Sequence, residues 1–180
     1  MNIFEAIFIG FIQGITEFLP ISSSGHLVIL SDIFNITTPS LTTDLVAHLG
    51  SLFAVLIFFG NKGFKKINES GFEYNEINKL FARLIIASIP IGVIGYFMKS
   101  ILDTSARTSI FVGASFIFSG LFLIFASYIN HMVKDKNKID GVGKVILIGL
   151  FQSFAVLPGV SRSGVTISSA LLLGVQKKAA

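Results

Sequence analysis

The chain has 180 residues, of which 52% are hydrophobic and only 13% are charged, and its mean hydropathy is +0.79. It contains no cysteine, which excludes disulfide bonds, thiolate metal sites and thiol catalysis. The net charge of +4 comes from lysines in loops, without a basic stripe of interleaved aromatic residues, so no nucleic-acid partner is expected. This composition predicts an all-α polytopic membrane protein.

The first predicted element is an apolar stretch, Ile3 to Leu19, that runs into a polar string over residues 13–26, with the sequence QGITEFLPISSSGH. Pro20 removes a backbone donor and restricts the residue before it, so a continuous helix is interrupted here. We expect a half-helix, a turn and a second half-helix. Such a re-entrant shape is tolerated at membrane depth only where it is buried in protein or lines a cavity.

Three plain membrane spans are predicted next, near residues 44–60, 84–98 and 109–129. The first two are short against the ~20 residues that a spanning helix needs, so we expect them to extend into their flanks. Basic residues concentrate in 61–83 and 131–144, which the positive-inside bias makes cytoplasmic. The 20–43 stretch then lies toward the outer face, as does the tip of a re-entrant second string.

A second polar string, QSFAVLPGVSRSGVT over residues 152–166, repeats the spacing of the first. A shift of 139 positions lays Ser161 on Ser22 and Gly164 on Gly25 without a gap. Residues 1–139 are therefore predicted to be a first membrane repeat and 140–180 the start of a second, inverted one, in a chain truncated at its C-terminus. Interrupted segments at matching places in two repeats indicate a functional site where the repeats meet.

The first string carries candidate chemical groups. Glu17 is predicted to be a metal ligand or a general base, because an acid at membrane depth is a functional-site hypothesis, although a helix-end carboxylate is the plainer alternative. Gln13 shares its helix face at the i, i+4 spacing. His26 is the natural proton-transfer or nucleophilic group, where an isolated histidine would be structural. His48, flanked by Asp44 and Ser51, is a weaker candidate.

Both strings also have the residues of a phosphate-binding helix N-terminus. Serine is a preferred N-cap, and an N-terminus with free amides binds phosphate. Arg162 adds a guanidinium suited to bidentate phosphate contact, with an interfacial arginine as the alternative. The predicted phosphate-binding residues are Ser22, Ser24, Gly25, Ser161, Ser163, Gly164 and Thr166. We expect Ser23, His26 and Arg162 to line one pocket that opens toward the outer face.

The segments EFLPISSSGH, from Glu17 to His26, and LPGVSRSGVT, from Leu157 to Thr166, resemble the two signature motifs of the undecaprenyl-diphosphate phosphatase (bacitracin-resistance) family. HLGSLFAV at 48–55 and SIPIGVIG at 88–95 also resemble it. The resemblance implies an enzyme of the bacterial cytoplasmic membrane that hydrolyses undecaprenyl diphosphate to the monophosphate and inorganic phosphate. This reaction recycles the lipid carrier of peptidoglycan synthesis, gives bacitracin resistance and uses a divalent metal, with Mg²⁺ expected and Ca²⁺ as the alternative.

Carried over by position, the resemblance makes Glu17 the motif acid, Ser23 and His26 the reactive pair, and Arg162 the phosphate clamp. The metal would be held by Glu17 and Gln13. The chain departs from the family pattern in having Gln13 where many relatives have an acid, and His48 where glutamine is commoner. A second copy of the Ser-Ile-Pro segment, which relatives carry, is absent.

Two further questions stay open from the residues alone. The nucleophile is Ser23, His26 or a water molecule. The alternative function is a polyprenyl-phosphate flippase or phosphate-lipid transporter, because inverted repeats with broken helices are also a transporter architecture. The set of Glu17, Ser23, His26 and Arg162 favours hydrolysis, since a carrier needs neither a nucleophile nor a proton shuttle.

Overall fold

Helices make up the regular structure of the chain. The computed structural model describes residues 2–36, 41–69, 74–104, 107–133 and 141–176. In these ranges the helices are α1 (Ile3–Thr16), α2 (Ser23–Ile33), α3 (Leu41–Glu69), α4 (Tyr74–Thr104), α5 (Ser109–Met132), α6 (Val142–Gln152) and α7 (Arg162–Leu172), with a 3₁₀ turn at Ser153–Val156 after α6. The predicted all-α membrane architecture is confirmed.

Helices α3, α4 and α5 contain the segments that are long and apolar enough to cross a membrane, at Thr42–Gly60, Asn78–Met98 and Ser109–Met132. These segments coincide with the three predicted spans, except that the second begins at Asn78 rather than 84. Many large apolar side chains of these helices point outward, Ile57 at 80% and Ile110 at 88% exposure among them. Such a surface is stable against lipid tails, where apolar side chains need no burial in protein.

Helices α1 and α2 form the first hairpin. Ile9 of α1 packs with Leu27 and Ile36, and the rings of Phe8 and Phe34 lie 5.2 Å apart between centroids. The beginning of α1 therefore lies beside the end of α2, and the chain reverses at residues 17–22. Neither helix is long enough to span the bilayer at 1.5 Å per residue, so this is a re-entrant shape.

Helices α6 and α7 form the second hairpin, in which Ile148 of α6 packs with Ala170 of α7 and with Val175. Near the end of α5, Asn130 Nδ2 donates to the carbonyl oxygens of Leu171 at 2.8 Å and Val175 at 3.0 Å. These bonds stabilise the C-terminal end of α7 and fix the open end of this hairpin beside the end of α5.

The two hairpins enter the bundle from opposite ends. Arg107, just before α5, forms an ion pair with Asp44 in the first turn of α3, so both helices start at the same end. Ala47, also near the start of α3, packs on the first hairpin. The first hairpin thus opens where α5 begins and the second where α5 ends. This is the relation expected of an inverted repeat.

The tips of the hairpins meet through a reciprocal pair of contacts. A Cβ added to Gly25 would lie 2.8 Å from Gly159 Cα, and one added to Gly164 would lie 3.4 Å from the Pro20 carbonyl oxygen. The 139-residue shift exchanges these pairs, since it lays Gly159 on Pro20 and Gly164 on Gly25. Reciprocal contacts of this kind are the signature of two-fold symmetry. The two strings converge, as their shared spacing predicts.

The division of the chain into repeats at residue 139 stays a prediction, because residues 134–140 lie outside the described ranges. The same holds for three of the loop lysines that support the predicted orientation, Lys134, Lys136 and Lys138.

Candidate active site

A cavity of about 490 Å³ lies where the two strings meet. Both strings contribute polar side chains to it, and long helices contribute further polar and apolar ones. The polar lining comprises Glu17, Ser22, Ser23, Ser24, His48, Arg83, Gln152, Ser161, Arg162, Ser163 and Thr166. The apolar lining includes Leu80, Leu84, Ala87, Val145 and Ile148.

Each string starts a helix with a serine cap. Ser22 Oγ accepts from Gly25 N at 3.4 Å at the start of α2, and Ser161 Oγ accepts from Gly164 N at 3.0 Å at the start of α7. Ser22 and Ser161 both line the cavity. Two helix N-termini, each with unpaired amides and a positive dipole end, therefore face one cavity. This arrangement suits a ligand with more than one anionic group.

Glu17 ends the first half-helix and binds the start of the second. Its Oε2 accepts from Gln13 Nε2 at 2.8 Å and from Ser23 Oγ at 2.7 Å. Gln13 is only 1% exposed, so it is a buried orienting group for the acid rather than a cavity residue. A hydroxyl that donates to a carboxylate at this distance has the geometry of a nucleophile with its general base.

His48 also faces the acid, with 3.4 Å between its Nε2 and Glu17 Oε2. Its Nδ1 lies 2.7 Å from the carbonyl oxygen of Asp44, one turn earlier in α3. His48 is only a weaker candidate from the sequence, because it lies outside both strings. The signal was present in the sequence, since a histidine between two apolar runs is costly in a membrane unless it has a polar partner.

His26 is not among the residues that line the cavity. It is the fourth residue of α2, its Nδ1 lies 2.8 Å from the Ser22 carbonyl oxygen, and its ring packs on Phe116 with 5.0 Å between centroids. The expectation that His26 shares the pocket with Ser23 and Arg162 is corrected in this respect. The physical reason is the helix register, which directs residue 23 to the cavity and residue 26 toward α5. A catalytic role for His26 stays a prediction.

Two arginines bring positive charge to the cavity. Arg162 is exposed at the first position of α7, and Arg83 is half-buried in α4. In the described part of the chain neither guanidinium forms a hydrogen bond or ion pair with a protein group. Sequence reasoning counted Arg83 only as a loop cation and missed it as a cavity residue. Arg83 lies one helical turn before Ala87, on the face of α4 that packs on α6. Its side chain therefore reaches the cavity instead of lying in a loop.

The cavity extends from the strings along α4 and α6. Gly149 packs against the backbone of Ala87, since an added Cβ would lie 2.6 Å from the Ala87 oxygen, and Gly95 approaches Val156 farther along. The two helices therefore run parallel, and Leu80 and Val145 lie near their starts. The cavity thus leads toward the end of the bundle where α4 and α6 begin, which the lysine bias makes cytoplasmic. The predicted opening of the pocket toward the outer face stays a prediction.

The remaining predicted site residues lie in or directly behind the cavity wall. Ser24 and Ser163 approach the capping serines of their own helices, at 3.4 Å and 3.2 Å between Oγ atoms. Thr166 donates back to the Arg162 carbonyl oxygen at 3.0 Å. Gly25, Gly159 and Gly164 are buried where the tips touch. They allow the close approach of the backbones that brings both helix N-termini to one cavity.

The described residues contain no group of three or more His, Cys, Asp or Glu side chains that would hold a metal ion. The buried Oε1 of Gln13 has no hydrogen-bond partner there. Glu17 supplies hard oxygen donors of the kind that Mg²⁺ and Ca²⁺ prefer, whereas Gln13 turns its Nε2 to that carboxylate, and Gln13 as a metal ligand stays a prediction. Glu17 fits an ion that takes most of its ligands from water and from substrate phosphates, as Mg²⁺ does in phosphoryl-transfer sites.

Comparison with known proteins gives the same family along nearly the whole chain. A family model described as bacitracin resistance protein BacA matches residues 6–180. The undecaprenyl-diphosphatases of Desulforudis audaxviator and Caldicellulosiruptor bescii are each 40% identical over 100% of this chain, covering 69% and 68% of their own length. The undecaprenyl-diphosphatase of Methanococcus maripaludis is 36% identical over 97% of this chain and 69% of its own. The matched region includes both strings.

Proposed function

Because the chain belongs to the bacitracin resistance protein family, we propose that it is a membrane enzyme that hydrolyses undecaprenyl diphosphate to undecaprenyl phosphate and inorganic phosphate. The observation that carries this proposal is the 2.7 Å hydrogen bond from Ser23 to Glu17 in the cavity that Arg162 also lines. The product is the carrier lipid of peptidoglycan synthesis, so the activity supports cell-wall formation and bacitracin resistance in a bacterial cytoplasmic membrane.

The cavity provides for both parts of this substrate. The diphosphate would bind between the N-termini of α2 and α7, with Arg162 and Arg83 as counter-charges. The isoprenoid chain would leave along the apolar wall that Leu84 and Ile148 line and continue into lipid. Among the described residues that line the cavity, Arg83 and Arg162 are cationic and Glu17 is acidic, and this excess of positive charge favours a ligand with several negative charges.

Ser23 is the nucleophile in this proposal. Its Oγ attacks the terminal phosphorus while Glu17 takes the hydroxyl proton, the bond to the bridging oxygen breaks, and undecaprenyl phosphate leaves. Water then hydrolyses the phosphoserine and releases inorganic phosphate. Arg162 and the helix amides stabilise the charge on the transferring oxygens, the dominant contribution in phosphoryl transfer. His26 and a direct water attack remain the alternatives that a trapping experiment separates.

A divalent metal belongs to the same proposal, with Mg²⁺ as the expected ion and Ca²⁺ as the alternative. Glu17 would hold it, and Gln13 would orient the carboxylate. When bound, the ion would neutralise phosphate charge. Because the protein offers few ligands of its own, we expect metal affinity to rise when diphosphate is present.

The side of action follows from access to the strings. The open end of the first hairpin lies at the end of the bundle opposite the basic loops, and we propose that the diphosphate reaches the strings from this outer face while the lining near Arg83 and Val145 receives the isoprenoid chain. The chain has no cysteine, so Ser24→Cys gives a single label site. In right-side-out vesicles, an impermeant thiol reagent should modify it. Protection there, with labelling in inverted vesicles, would place the site on the cytoplasmic side.

The test of function is phosphate release from undecaprenyl diphosphate by the purified protein in detergent or nanodiscs. We expect release that depends on added metal and is lost in Ser23→Ala. Ile57→Ala, a lipid-facing change on α3, is the control. Binding of the lipid without phosphate release, together with its movement between the leaflets of proteoliposomes, would support the flippase or transporter instead. The hydrogen bond between Ser23 and Glu17 favours hydrolysis, because a carrier has no use for it.

A further inference from the structure

Arg83 lies among apolar residues, in the part of the cavity that receives the isoprenoid chain in the proposed function. On α4 the residues Leu80, Arg83, Leu84 and Ala87 stand at positions i, i+3, i+4 and i+7, so they share one helix face. All four line the cavity, and Val145 of α6 continues the apolar wall. A guanidinium in such surroundings is costly unless an anion pairs with it.

The described part of the protein does not supply that anion. The Arg83 guanidinium forms no hydrogen bond or ion pair with the described residues. Glu17, the acidic residue of the described lining, accepts from Gln13 and Ser23 instead. Lys79, one turn earlier on α4, is exposed and does not line the cavity, whereas Arg83 is half-buried in it. A cation that only reached for the membrane surface would extend into water as Lys79 does.

The position of Arg83 along α4 relates it to one of the two phosphates. Ala87 touches Gly149 of α6, three residues before the second string begins at Gln152. Because α4 and α6 run parallel, Arg83 lies about one turn, or ~6 Å, farther from that string than Ala87 does. A prenyl diphosphate with its terminal phosphate at Ser23 and its chain along this wall has its second phosphate between them. The phosphate on the Arg83 side is therefore the one that carries the chain.

We propose that Arg83 binds the phosphate linked to the isoprenoid chain, while Arg162 binds the terminal phosphate that is transferred. This inference rests on the proposed function and assigns its two counter-charges to different phosphates. When Ser23 Oγ bonds to the terminal phosphorus, the bond to the bridging oxygen breaks, and its electron pair stays with the chain-linked phosphate. The Arg83 guanidinium neutralises the charge that develops there. Arg83 thus recognises the leaving group and holds the lipid monophosphate until it departs.

The experiment is equilibrium binding of two probes to the purified full chain in nanodiscs, in the presence of Mg²⁺. Farnesyl phosphate carries a chain-linked phosphate, whereas inorganic phosphate has no chain. Arg83→Gln should weaken the binding of farnesyl phosphate by about 10- to 100-fold, the scale of a hydrogen bond to a charged group. It should leave the binding of inorganic phosphate nearly unchanged. Arg162→Gln should give the opposite pattern.

Three controls separate recognition of the phosphate from other roles of Arg83. Lys79→Gln removes the same charge one turn earlier on α4 and should leave the binding of both probes unchanged. Farnesol, which has the chain without the phosphate, should bind to Arg83→Gln as it binds to the wild type, because the apolar wall is intact. Arg83→Lys keeps the charge and should recover part of the affinity for farnesyl phosphate.

Equal affinity of the wild type and Arg83→Gln for farnesyl phosphate would overturn the inference. Equal losses in Arg83→Gln and Lys79→Gln would also overturn it, because they would indicate a general effect of surface charge. So would weaker binding of farnesol to Arg83→Gln, since the residue would then support the apolar wall. Binding needs no turnover, so phosphate release from undecaprenyl diphosphate without this binding pattern would refute the inference alone. The pattern without phosphate release would refute the proposed function alone.

Discussion

The two polar strings form the same local structure, a serine-capped helix N-terminus, but carry different side chains at equivalent positions. Each caps a helix through a serine that accepts from the glycine three residues later. At the equivalent positions, however, the first string has Glu17 and Ser23 where the second has Val156 and Arg162. In the proposed mechanism the capped N-terminus supplies anion binding twice. The two differences then separate the string with the nucleophile and its base (residues 13–26, the reactive string) from the string with the phosphate-binding arginine (residues 152–166, the clamping string). Neither half is a complete phosphoryl-transfer site, because such a site needs both functions within contact of one phosphate.

The backbone also differs between the strings. Ser22 has φ +64°, in the left-handed region that costs a non-glycine residue energy, whereas its counterpart Ser161 has φ −73°. Strain of this kind is of order 1–3 kcal/mol and persists where the surrounding structure fixes it. It lies in the reactive string, next to Ser23. The clamping string has its positive φ at Gly159 instead, where a side chain is absent and the conformation is unstrained.

The largest effect is expected in the reactive string, from Glu17→Gln. The shape is kept while the charge that accepts the Ser23 proton is lost, so the rate of phosphate release should fall by about 10²–10⁴-fold, the usual contribution of a general base. Glu17→Asp should recover part of the rate when the metal concentration is raised. Unchanged metal dependence in Glu17→Asp would mean that Glu17 is structural.

Arg162→Lys makes the matching test in the clamping string. An ammonium keeps the charge but cannot make the two parallel hydrogen bonds of the guanidinium. We expect a loss of roughly 2–4 kcal/mol of transition-state stabilisation, on the scale of removing one oxyanion donor. The measurement is kcat/KM for phosphate release. Turnover near the wild-type rate would remove Arg162 from the site.

Packing at the tips should also distinguish the strings. A Cβ at Gly25 would lie 2.5 Å from a Phe116 ring carbon and 2.8 Å from Gly159 Cα, whereas at Gly164 its nearest neighbour would be 3.0 Å away. Gly25→Ala should therefore destabilise the protein by about 1–3 kcal/mol, as over-packing does, and Gly164→Ala by less. Thermal unfolding in detergent measures both. Equal melting temperatures would contradict the close contact of the tips at Gly25.

The smallest expected effect compares the two caps. Ser161→Ala removes an unstrained cap and should destabilise the protein by about 1 kcal/mol. Ser22→Gly removes a longer capping bond but relieves the positive φ, so we expect it to be close to neutral. The same unfolding measurement compares them. A Ser22→Gly variant less stable than Ser161→Ala would show that Ser22 is not strained in the folded protein.

Hydropathy and repetition predicted the spans and the meeting of the strings, because both depend on residue types and on spacing along the chain. The second span begins at Asn78, in the flank into which it was expected to extend, and it includes Arg83, which lines the cavity. The cavity residues outside the strings could not be derived in the same way. Which faces of α3 and α4 meet the cavity is decided by helix packing, such as Gly149 on Ala87.

His26 shows that a residue's place within a string does not decide whether its side chain faces the cavity. Its place in the sequence beside three serines indicates the site, but the register of α2 turns it onto Phe116 and the Ser22 carbonyl. His48 illustrates the converse, because it lies 31 residues beyond Glu17 in the chain and yet contacts its carboxylate. The two strings were enough to locate the site from the sequence. The residues outside the strings that contact it, such as His48, could be identified only from the fold.

The central claim is that the reactive string transfers a phosphate held by the clamping string, and trapping the phosphoenzyme tests it most directly. The protein is mixed with undecaprenyl diphosphate radiolabelled in its terminal phosphate, quenched rapidly and digested. Label is expected on Ser23 and should be strongly reduced in Glu17→Gln and in Arg162→Lys. Label on His26, or full turnover with no labelled residue in the wild type, would contradict it.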